Sequence, residues 1–351
     1  MITIRPVCLN DLDALLSLAA QTGYGLTTLP CDRDLLRSRI SKSVRSFRRI
    51  AEDPCPDSAD AQPLGSESFM FVAEASAGAM ETKKVIGTSS IVSKVGGFQP
   101  FYNYRLETSV LHSDILQVHK EIKTLHLVAD HNGPAEIGGL FLSPDYRREQ
   151  TGRLLSLSRF LFMSQHRHCF DPLVVAELRG VIDDAGQSPF WNALGRHFFD
   201  VELPKADYLS GVDKRFIADL MPRHPIYVPL LPPDAQQVIG KVHEKTQPAL
   251  KLLQDEGFVD AGMVDIFDAG PTLKCKLAEI RTVQLSRVSK VVKIVEAGES
   301  ANSLISTTSG EFRGCKGWID AITPEQIAID RQAADALGIG IGQHVCHVSI
   351  R

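Results

Sequence analysis

The segment from Leu140 to Gly152 carries the residue pattern best suited to chemistry in this sequence. An apolar strand containing Leu140 is followed by a turn with Arg147 and Arg148, and a helix begins close to Gly152. The first turn of a helix leaves backbone N–H groups unpaired, and the helix dipole adds a partial positive charge there. With two arginines, such a turn favours an anion such as a diphosphate. We therefore predict an anion site that includes Arg147, Arg148, Thr151 and Gly152.

Histidine titrates nearest to neutral pH, so the histidines are candidates for proton transfer. Pro225 restricts His224 to an extended backbone, which can present the ring to a cleft. His166 and His168 lie two residues apart on a predicted helix and so on different faces, which argues against a metal site. The seven cysteines are scattered and include no C-x-x-C pair, which favours neither a disulfide framework nor a zinc site.

The elements around the basic turn predict an α/β protein. The apolar run 135–142, the turn, a long helix from Arg153 and the apolar run 173–181 predict a β-α-β unit. Other apolar patterns predict strands at 2–7, 69–75, 84–95, 104–110, 124–128, 262–268 and 272–280. Helices are predicted at 12–18, 32–49, 189–198, 216–221, 234–242, 247–256 and 324–337, with an exposed loop at 52–68 and a turn at 76–83.

The bulk properties of the chain set its organisation. At 351 residues it exceeds the size at which one hydrophobic core stops growing. Short Val, Ile and Thr runs predict a small β-rich accessory domain at 284–351 after a main domain at 1–283. A net charge of -4 offers no basic field for nucleic acid or an anionic membrane. No apolar run reaches membrane-spanning length and residues 1–7 lack a secretory pattern, so a cytoplasmic location is expected.

Several stretches, which follow one another in the same order along the chain, resemble known acyltransferases. The turn is similar to the Q/R-x-x-G-x-G/A pyrophosphate loop of the acetyltransferase superfamily, with Gln150 in the place of a glycine. Residues 1 to about 288 resemble the arginine N-succinyltransferase family. The matching stretches include Ile4-Arg5-Pro6-Val7, Tyr102-Asn103-Tyr104-Arg105, Asp130-His131-Asn132-Gly133, Leu140-Phe141-Leu142-Ser143-Pro144-Asp145-Tyr146-Arg147, Ala176-Glu177-Leu178-Arg179-Gly180-Val181, Val238-Ile239-Gly240-Lys241-Val242-His243 and Val264-Asp265-Ile266-Phe267-Asp268.

The resemblance implies an acetyltransferase-like fold, with a mixed, mainly antiparallel sheet flanked by helices. It also implies transfer of a succinyl group from succinyl-CoA to the α-amine of arginine. The family's proton-donating histidine falls on His243, and its leucine that contacts the acyl-CoA falls on Leu140. Gly138-Gly139 replaces a bulkier pair before that leucine, and residues after Ser286 match weakly.

The implied substrates demand charged partners. A succinyl carboxylate favours a fork-shaped cation, and a guanidinium favours carboxylates. We expect the substrate-binding residues to come from the stretches that match the family, with His224 as the histidine that competes with His243. These candidates are Glu177, Arg179, His224, Asp265 and Asp268.

The reaction expected from the resemblance needs succinyl-CoA as a co-substrate and no permanently bound cofactor or metal. Ornithine or another amino acid remains an alternative acceptor. Family members also occur as paired α and β chains, so a homo-oligomer or a heteromer is expected. The α chain of such a pair is one assignment that the resemblance allows. A non-catalytic or weakly catalytic subunit that binds acyl-CoA and partners a paralogous chain is a further alternative.

Overall fold

A computed structural model describes residues 1–23, 26–52, 66–76, 83–97, 99–148, 150–296 and 300–350. Most of the predicted loop at 52–68 and turn at 76–83 lies outside these residues. The strands are β1 (Ile2–Pro6), β2 (Ser68–Ala75), β3 (Lys84–Val92), β4 (Phe101–Ser113), β5 (Val118–Asp130), β6 (Ala135–Leu142), β7 (Leu173–Glu177), β8 (Ile226–Tyr227), β9 (Val259–Asp265), β10 (Pro271–Lys276), β11 (Arg287–Val295), β12 (Ser303–Thr307), β13 (Gly314–Gly317), β14 (Ile319–Thr323), β15 (Gln326–Asp330) and β16 (His344–Ser349).

The helices lie between these strands and on both faces of the sheet. They are α1 (Leu12–Ala19), α2 (Arg33–Glu52), α3 (Thr151–Gln165), α4 (Pro189–Ala193), α5 (Gly195–Phe199), α6 (Leu203–Val212), α7 (Arg215–Leu220), α8 (Pro233–Val238), α9 (Gln247–Asp255), α10 (Arg281–Leu285) and α11 (Arg331–Leu337). In the described residues, none of these helices is both long and apolar enough to cross a membrane.

The described strands form one continuous sheet in the order β14-β15-β11-β16-β12-β13-β1-β2-β3-β6-β7-β10-β9-β4-β5-β8. Most neighbours are antiparallel, whereas β6 pairs with β7 and β11 pairs with β15 in parallel. The β6-α3-β7 unit is therefore the β-α-β unit predicted from the sequence. Its crossover helix begins at the basic turn.

Alternation along β2 explains why helices cover both faces of this part of the sheet. Phe69 and Phe71 belong to the apolar cluster that includes Phe162 of α3. Met70 and Val72 belong to a separate cluster with residues of α1 and α2. Because successive strand residues point to opposite faces, α3 lies on one side and α1 and the first half of α2 on the other. Near the end of α2, Phe47 instead packs with Phe69, Phe71 and Phe162 on the α3 side. The sheet is buried between them.

A second core lies between the strands β4 and β9 and the short helices α4 to α8. Tyr104, Phe190 and Trp191 are its largest fully buried side chains. Trp191 stacks on Phe199 with ring centroids 5.5 Å apart, and its Nε1 donates to the Val201 carbonyl at 3.0 Å. These contacts hold the segment that follows β7 against the sheet. They fix the position of α6.

The C-terminal strands have their own apolar cluster but join the main sheet. Val291, Ile305, Ile329 and Val345 share that cluster, while β13 pairs with β1. Phe312 packs instead in the main core with the α3 residues. The boundary predicted at 283/284 stays a prediction.

The predicted helix at 324–337 is wrong over its first half. Residues Gln326–Asp330 form β15, and the helix begins only at Arg331. The β-branched pair Ile327 and Ile329 is buried, and Asp330 caps the helix by accepting from the Ala333 amide at 2.8 Å. Helix α6 was missed by the sequence analysis.

Candidate active site

Strand β6 carries a bulge at the predicted acyl-contact residue. Ser90 of β3 pairs with Gly138, but Thr88 pairs with Phe141, so β6 has one extra residue over this interval. A bulge removes backbone groups from the hydrogen-bonded ladder and bends the strand. The amides of Gly139 and Leu140 therefore lie where the ladder is interrupted.

The bulge requires glycine at position 139. Gly139 has a φ of +59°, which side-chain-bearing residues rarely adopt. A Cβ there would lie 2.7 Å from Ser90 Oγ and 3.3 Å from Thr28 Oγ1. Glycine at position 139 of this chain therefore has a conformational and a steric reason.

Strands β6 and β7 separate just before the bulge. They pair only at Ala135 with Val174 and at Glu136 with Val175. On its other edge β7 stays paired with β10 as far as Glu177, which lies opposite Thr272. The sheet therefore opens between the bulge of β6 and the end of β7.

A cavity of about 420 Å³ lies at this opening. Its walls come from β6, β7, the end of β9, α2 and α6. The cavity brings together several of the predicted substrate-binding residues and the glycines of the bulge. The lining includes Gly138, Gly139, Glu177, Arg179, Asp265 and Asp268.

One side of the cavity is acidic. Burial, followed by the negative charges of Asp265 and Glu136, raises the pKa of Glu177 well above its usual value. Burial also raises the pKa values of Glu136 and Asp265. Glu177 Oε1 is buried and has no hydrogen-bond partner of good geometry in the described residues. The nearby Asn103 side chain opposes part of the rise in the pKa of Glu177. A cationic ligand group would satisfy these carboxylates.

Asp268 has a different role from Glu177. Its Oδ2 accepts from the Gly180 amide at 2.7 Å and its Oδ1 accepts from the Gly270 amide at 2.8 Å. Burial and the charge of Asp265 raise its pKa well above the usual value. Since both oxygens hold backbone groups, Asp268 fixes the loops that bound the cavity.

The other side of the cavity is basic. Arg39 of α2 donates to the Thr27 carbonyl and, at 3.4 Å, to the Gly211 carbonyl. Lys42 and Lys214 also line the cavity, and Arg179 Nε is buried without a hydrogen-bond partner in the described residues. Burial lowers the pKa of Arg39, Lys42 and Arg179. These cations suit the carboxylate groups of a ligand.

The two candidate histidines lie elsewhere among the described residues. His243 caps a short 3-10 turn, where its Nδ1 accepts from the Lys245 amide at 3.0 Å. Its own amide donates to the Arg179 carbonyl at 2.9 Å. Burial, then the positive charges of Arg179 and Lys245, lowers the pKa of His243. His243 therefore adjoins a residue of the cavity, while His224 is exposed and neither is among the lining residues described.

The basic turn leads into α3 through a left-handed residue. Gln150 has a φ of +59° and precedes the first helical residue. Arg147 Nε donates to the Leu142 carbonyl at 3.0 Å, and Thr151 Oγ1 donates to the Arg148 carbonyl at 2.8 Å. Arg148 is exposed, and Glu149 lies outside the described residues.

Sequence reasoning missed several residues of the cavity. Glu136 is the one charged residue in the apolar run 135–142, and that isolation was a usable signal. Arg39 and Lys42 on α2, and Lys214 just before α7, gave no local signal because charged residues on or beside helices usually face solvent. Arg153 was also missed, although its Nε is buried in the first turn of α3 without a hydrogen-bond partner in the described residues.

The interrupted β6 and the helix that starts at a basic turn are features expected of an acyltransferase with an acetyltransferase-like fold. The family model described as arginine N-succinyltransferase beta subunit matches residues 2–282. The chain belongs to the arginine N-succinyltransferase family. This confirms the family, the fold class and the enzyme class predicted from the sequence.

Similar proteins support this assignment over most of the chain. "Arginine N-succinyltransferase" of Enterobacter sp. (strain 638) is 46% identical over 289 residues, which cover 82% of this chain and 80% of the relative. "Arginine N-succinyltransferase subunit beta" of Pseudomonas aeruginosa is 45% identical over 285 residues, covering 81% and 79%. A protein of Escherichia coli (strain 55989 / EAEC), also named "Arginine N-succinyltransferase", is 40% identical over 348 residues, which cover 98% of this chain and 96% of the relative.

A solved structure resembles the whole chain. It is the arginine/ornithine succinyltransferase subunit AI from Pseudomonas aeruginosa, with a TM-score of 0.85 and 36% sequence identity. The match covers 99% of this chain and 98% of that chain. The similar proteins are named as subunit "beta" and as subunit "AI", so the α chain stays one possible assignment.

Proposed function

We propose that this protein transfers the succinyl group of succinyl-CoA to the α-amine of L-arginine and releases N2-succinyl-L-arginine and CoA. The observation that carries this proposal is the acidic side of the cavity, which adjoins the bulge of β6. A cationic amino acid bound there would have its amine close to an acyl group held at the bulge. Succinyl-CoA acts as a co-substrate that leaves after each turnover.

The donor would bind along the basic turn and β6. The diphosphate would bind to Arg147, Arg148, Thr151 and Gly152, at the N-terminus of the 15-residue helix α3. The thioester would lie at the bulge near Leu140, where a free backbone amide can hydrogen-bond the developing oxyanion. The succinyl carboxylate would bind to the basic side of the cavity.

The acceptor would bind across the opening between β6 and β7. The guanidinium would pair with Glu177 and Asp265, with Glu136 adding negative charge. The α-carboxylate would pair with a cation such as Arg179. Asp268 supports this site by holding its loops.

The chemistry would be direct attack of the free amine on the thioester carbonyl. The new C–N bond forms, the C–S bond breaks, and CoA leaves as a thiolate while the nitrogen loses its proton. Because His243 Nδ1 accepts from an amide, the neutral ring carries its proton on Nε2. We propose that this Nε2–H group is the hydrogen-bond donor to the departing thiolate, and that the thiolate takes up the proton that the substrate nitrogen loses.

His243→Ala should lower kcat by about 10²- to 10⁴-fold if His243 has this role. The measurement is steady-state thiol release with both substrates saturating. His224→Ala is the matched comparison, because His224 is the competing histidine and is exposed. A large loss in the His224 variant with normal turnover in the His243 variant would exchange their assignments.

The test of the activity is release of free CoA thiol from succinyl-CoA with arginine, with ornithine and without an acceptor. We expect arginine-dependent release and a product mass greater than arginine by one succinyl group. Glu177→Gln should lose most of this release. Glu202→Gln is its control and should retain the release, because Glu202 forms an exposed ion pair with Arg196. Absence of arginine-dependent release would refute the proposed function.

Ornithine is the second acceptor to test, because the similar solved structure is named for arginine and ornithine. Ornithine has a compact ammonium in place of the planar guanidinium, so it would satisfy fewer carboxylate oxygens at once. We therefore propose that kcat/KM for arginine exceeds kcat/KM for ornithine. A higher kcat/KM for ornithine would make ornithine the preferred acceptor.

An assembly of several chains is also part of the proposal, since two similar proteins are named as subunits. A homo-oligomer and a heteromer with a paralogous chain are the alternatives. Light scattering of the purified chain, combined with its turnover, separates a self-sufficient oligomer from a weakly catalytic subunit. The cytoplasmic location expected from the sequence stays a prediction.

A further inference from the structure

Arg159 is a buried cation in the middle of α3. Its side chain belongs to a residue that is only 2% exposed, and no ion pair with a carboxylate is formed in the part of the chain that the structure describes. Removing a charge from water costs several kcal/mol unless other groups compensate. Burial lowers the pKa of Arg159 to about 9, so the guanidinium still carries its proton at neutral pH.

The partners of Arg159 connect α3 to the bulge. Its Nε donates to the Ser156 carbonyl at 3.1 Å, and its Nη2 donates to Ser156 Oγ at 2.8 Å. Its Nη1 donates to the Gly138 carbonyl at 3.2 Å. Two donors are therefore held by the helix itself, and the third reaches the strand that carries the bulge.

The Gly138 carbonyl shares one peptide group with the Gly139 N–H. A cation that donates to the carbonyl oxygen withdraws electron density from the amide nitrogen, and hydrogen bonds in series strengthen one another in this way. The same bond restrains a peptide next to Gly139, whose φ is +59°. Arg159 thus acts on both the direction and the strength of a bulge amide.

We propose that Arg159 is a positioning residue for acyl transfer, which fixes and polarises the Gly138–Gly139 peptide so that the bulge binds the thioester carbonyl oxygen. This inference rests on the proposed function, because it assigns the thioester to the bulge. Arg159 does not touch the substrate. It acts through the backbone of β6.

The first test compares kcat with the KM for succinyl-CoA. Arg159→Met should lower kcat by about 10- to 100-fold, less than the full loss of an oxyanion donor, and leave the KM for succinyl-CoA within about twofold. Arg167→Met is the matched control, since Arg167 also donates to a backbone carbonyl, that of Val283, at 3.1 Å. Its kcat should stay within about twofold of wild type. An unchanged kcat in folded Arg159→Met would overturn the proposal.

The second test uses a signal that a purely structural role would not change. Isotope-edited infrared spectra of bound succinyl-CoA, labelled with ¹³C at the thioester carbonyl, report how strongly the site polarises that bond. Wild type and Arg167→Met should shift the carbonyl band to lower wavenumber, and Arg159→Met should lose most of this shift. A lower kcat with the full shift retained would mean that Arg159 serves only the fold.

Arg159→Lys keeps the test decisive if the methionine variant does not fold. A lysine ammonium retains the charge but cannot reproduce the fork that bonds Ser156 and Gly138 together. We expect an intermediate kcat and an intermediate carbonyl shift, and wild-type values for both would overturn the proposal. The infrared readout needs no acceptor, so a failure of arginine turnover in wild type would refute the proposed function without deciding the role of Arg159.

Discussion

Glu177 is a residue whose burial opposes stability and supports binding. It lies at the end of β7, and its carboxylate faces a cavity that also contains the half-buried Glu136 and Asp265. Burial, and then the mutual repulsion of these groups, raises the pKa of Glu177 well above its usual value of 4.5. A guanidinium would relieve that repulsion. We therefore expect the residue to matter differently with and without substrate.

Glu177→Gln should lower kcat/KM for arginine by at least about 100-fold, because a desolvated partner of the guanidinium is lost. The same change should raise the melting temperature of the substrate-free enzyme by about 1–3 °C at pH 8. Thiol-release kinetics and thermal melts measure the two effects. A variant that lost stability and kept its kcat/KM would contradict the assignment.

The pH dependence follows from the same raised pKa. The folded state holds the Glu177 proton more tightly than the unfolded state. The contribution of protonated Glu177 to the free energy of unfolding is therefore complete below about pH 4.5 and is lost as pH rises through the folded-state pKa. The melting-temperature difference between Glu177→Gln and wild type should therefore shrink towards pH 5. If it grew instead at low pH, the carboxyl group would not be the cause.

Arginine binding should change with pH in the opposite sense. Only the charged carboxylates bind the guanidinium, so the KM for arginine should fall as pH rises from about 5 to 8. Calorimetry in buffers of different ionisation enthalpy should also detect proton release on binding. A KM that is constant over this range would show that the cavity carboxylates are already ionised.

Sequence reasoning reached part of this site. Glu177, Arg179, Asp265 and Asp268 all line the cavity, because they sit in motifs near strand ends, where the sheet brings them to one edge. Glu136 was missed because its neighbours across the sheet are distant in sequence. The cap made by His243 depends on backbone geometry, which residue types alone do not specify.

At the scale of elements, the turn between β6 and α3 combines a family motif with local strain. Gln150 occupies the motif's glycine position and has a φ of +59°. A residue with a Cβ in this conformation costs about 1 kcal/mol relative to glycine. The sequence identified the turn and its helix, but it could not show that Gln150 itself adopts the left-handed conformation.

Gln150→Gly should raise the melting temperature by about 1–3 °C and leave the KM for succinyl-CoA equal or lower, since the backbone can approach the diphosphate more closely. Gln117→Gly is the matched control, because Gln117 also has a positive φ of 48° and lies in the turn between β4 and β5. Both variants should be stabilised. A higher KM in Gln150→Gly alone would mean that the glutamine side chain itself contacts the donor.

The elements that the sequence analysis misplaced share a physical cause. In α6 the apolar spacing is weak, and Leu203 and Ala206 are buried only because the neighbouring core covers them. In β15 the short apolar run Ile327–Ile329 fits either a helix or a strand until pairing with β11 decides. Tertiary contacts therefore set these elements, whereas the 15-residue α3 follows from local sequence.

At the scale of the whole molecule, one sheet runs through both the catalytic part and the C-terminal strands. The pairing of β1 with β13 joins them by backbone hydrogen bonds, and Phe312 joins them by packing. The Phe312 ring lies 5.4 Å from the rings of Phe71 and Phe162. The C-terminal part of the chain therefore contributes the Phe312 side chain to the core that supports α3.

Phe312→Ala should lower the free energy of unfolding by about 3–5 kcal/mol, because a buried ring is removed from this core. Calorimetry should show one transition moved to lower temperature, with turnover at 25 °C little changed. Ile341→Ala is the control, since Ile341 is 66% exposed. Two separate transitions, with turnover surviving the first, would instead establish residues 284–351 as an independent domain.

The order of the strands also governs how the nascent chain matures. Strand β7 lies between β6, made shortly before it, and β10, whose residues follow about 100 positions later, an interval of roughly 5–20 s of synthesis. Until then one edge of β7 has no neighbour, and Glu177 and Asp265 have not met. Their repulsion therefore cannot oppose the earliest folding events.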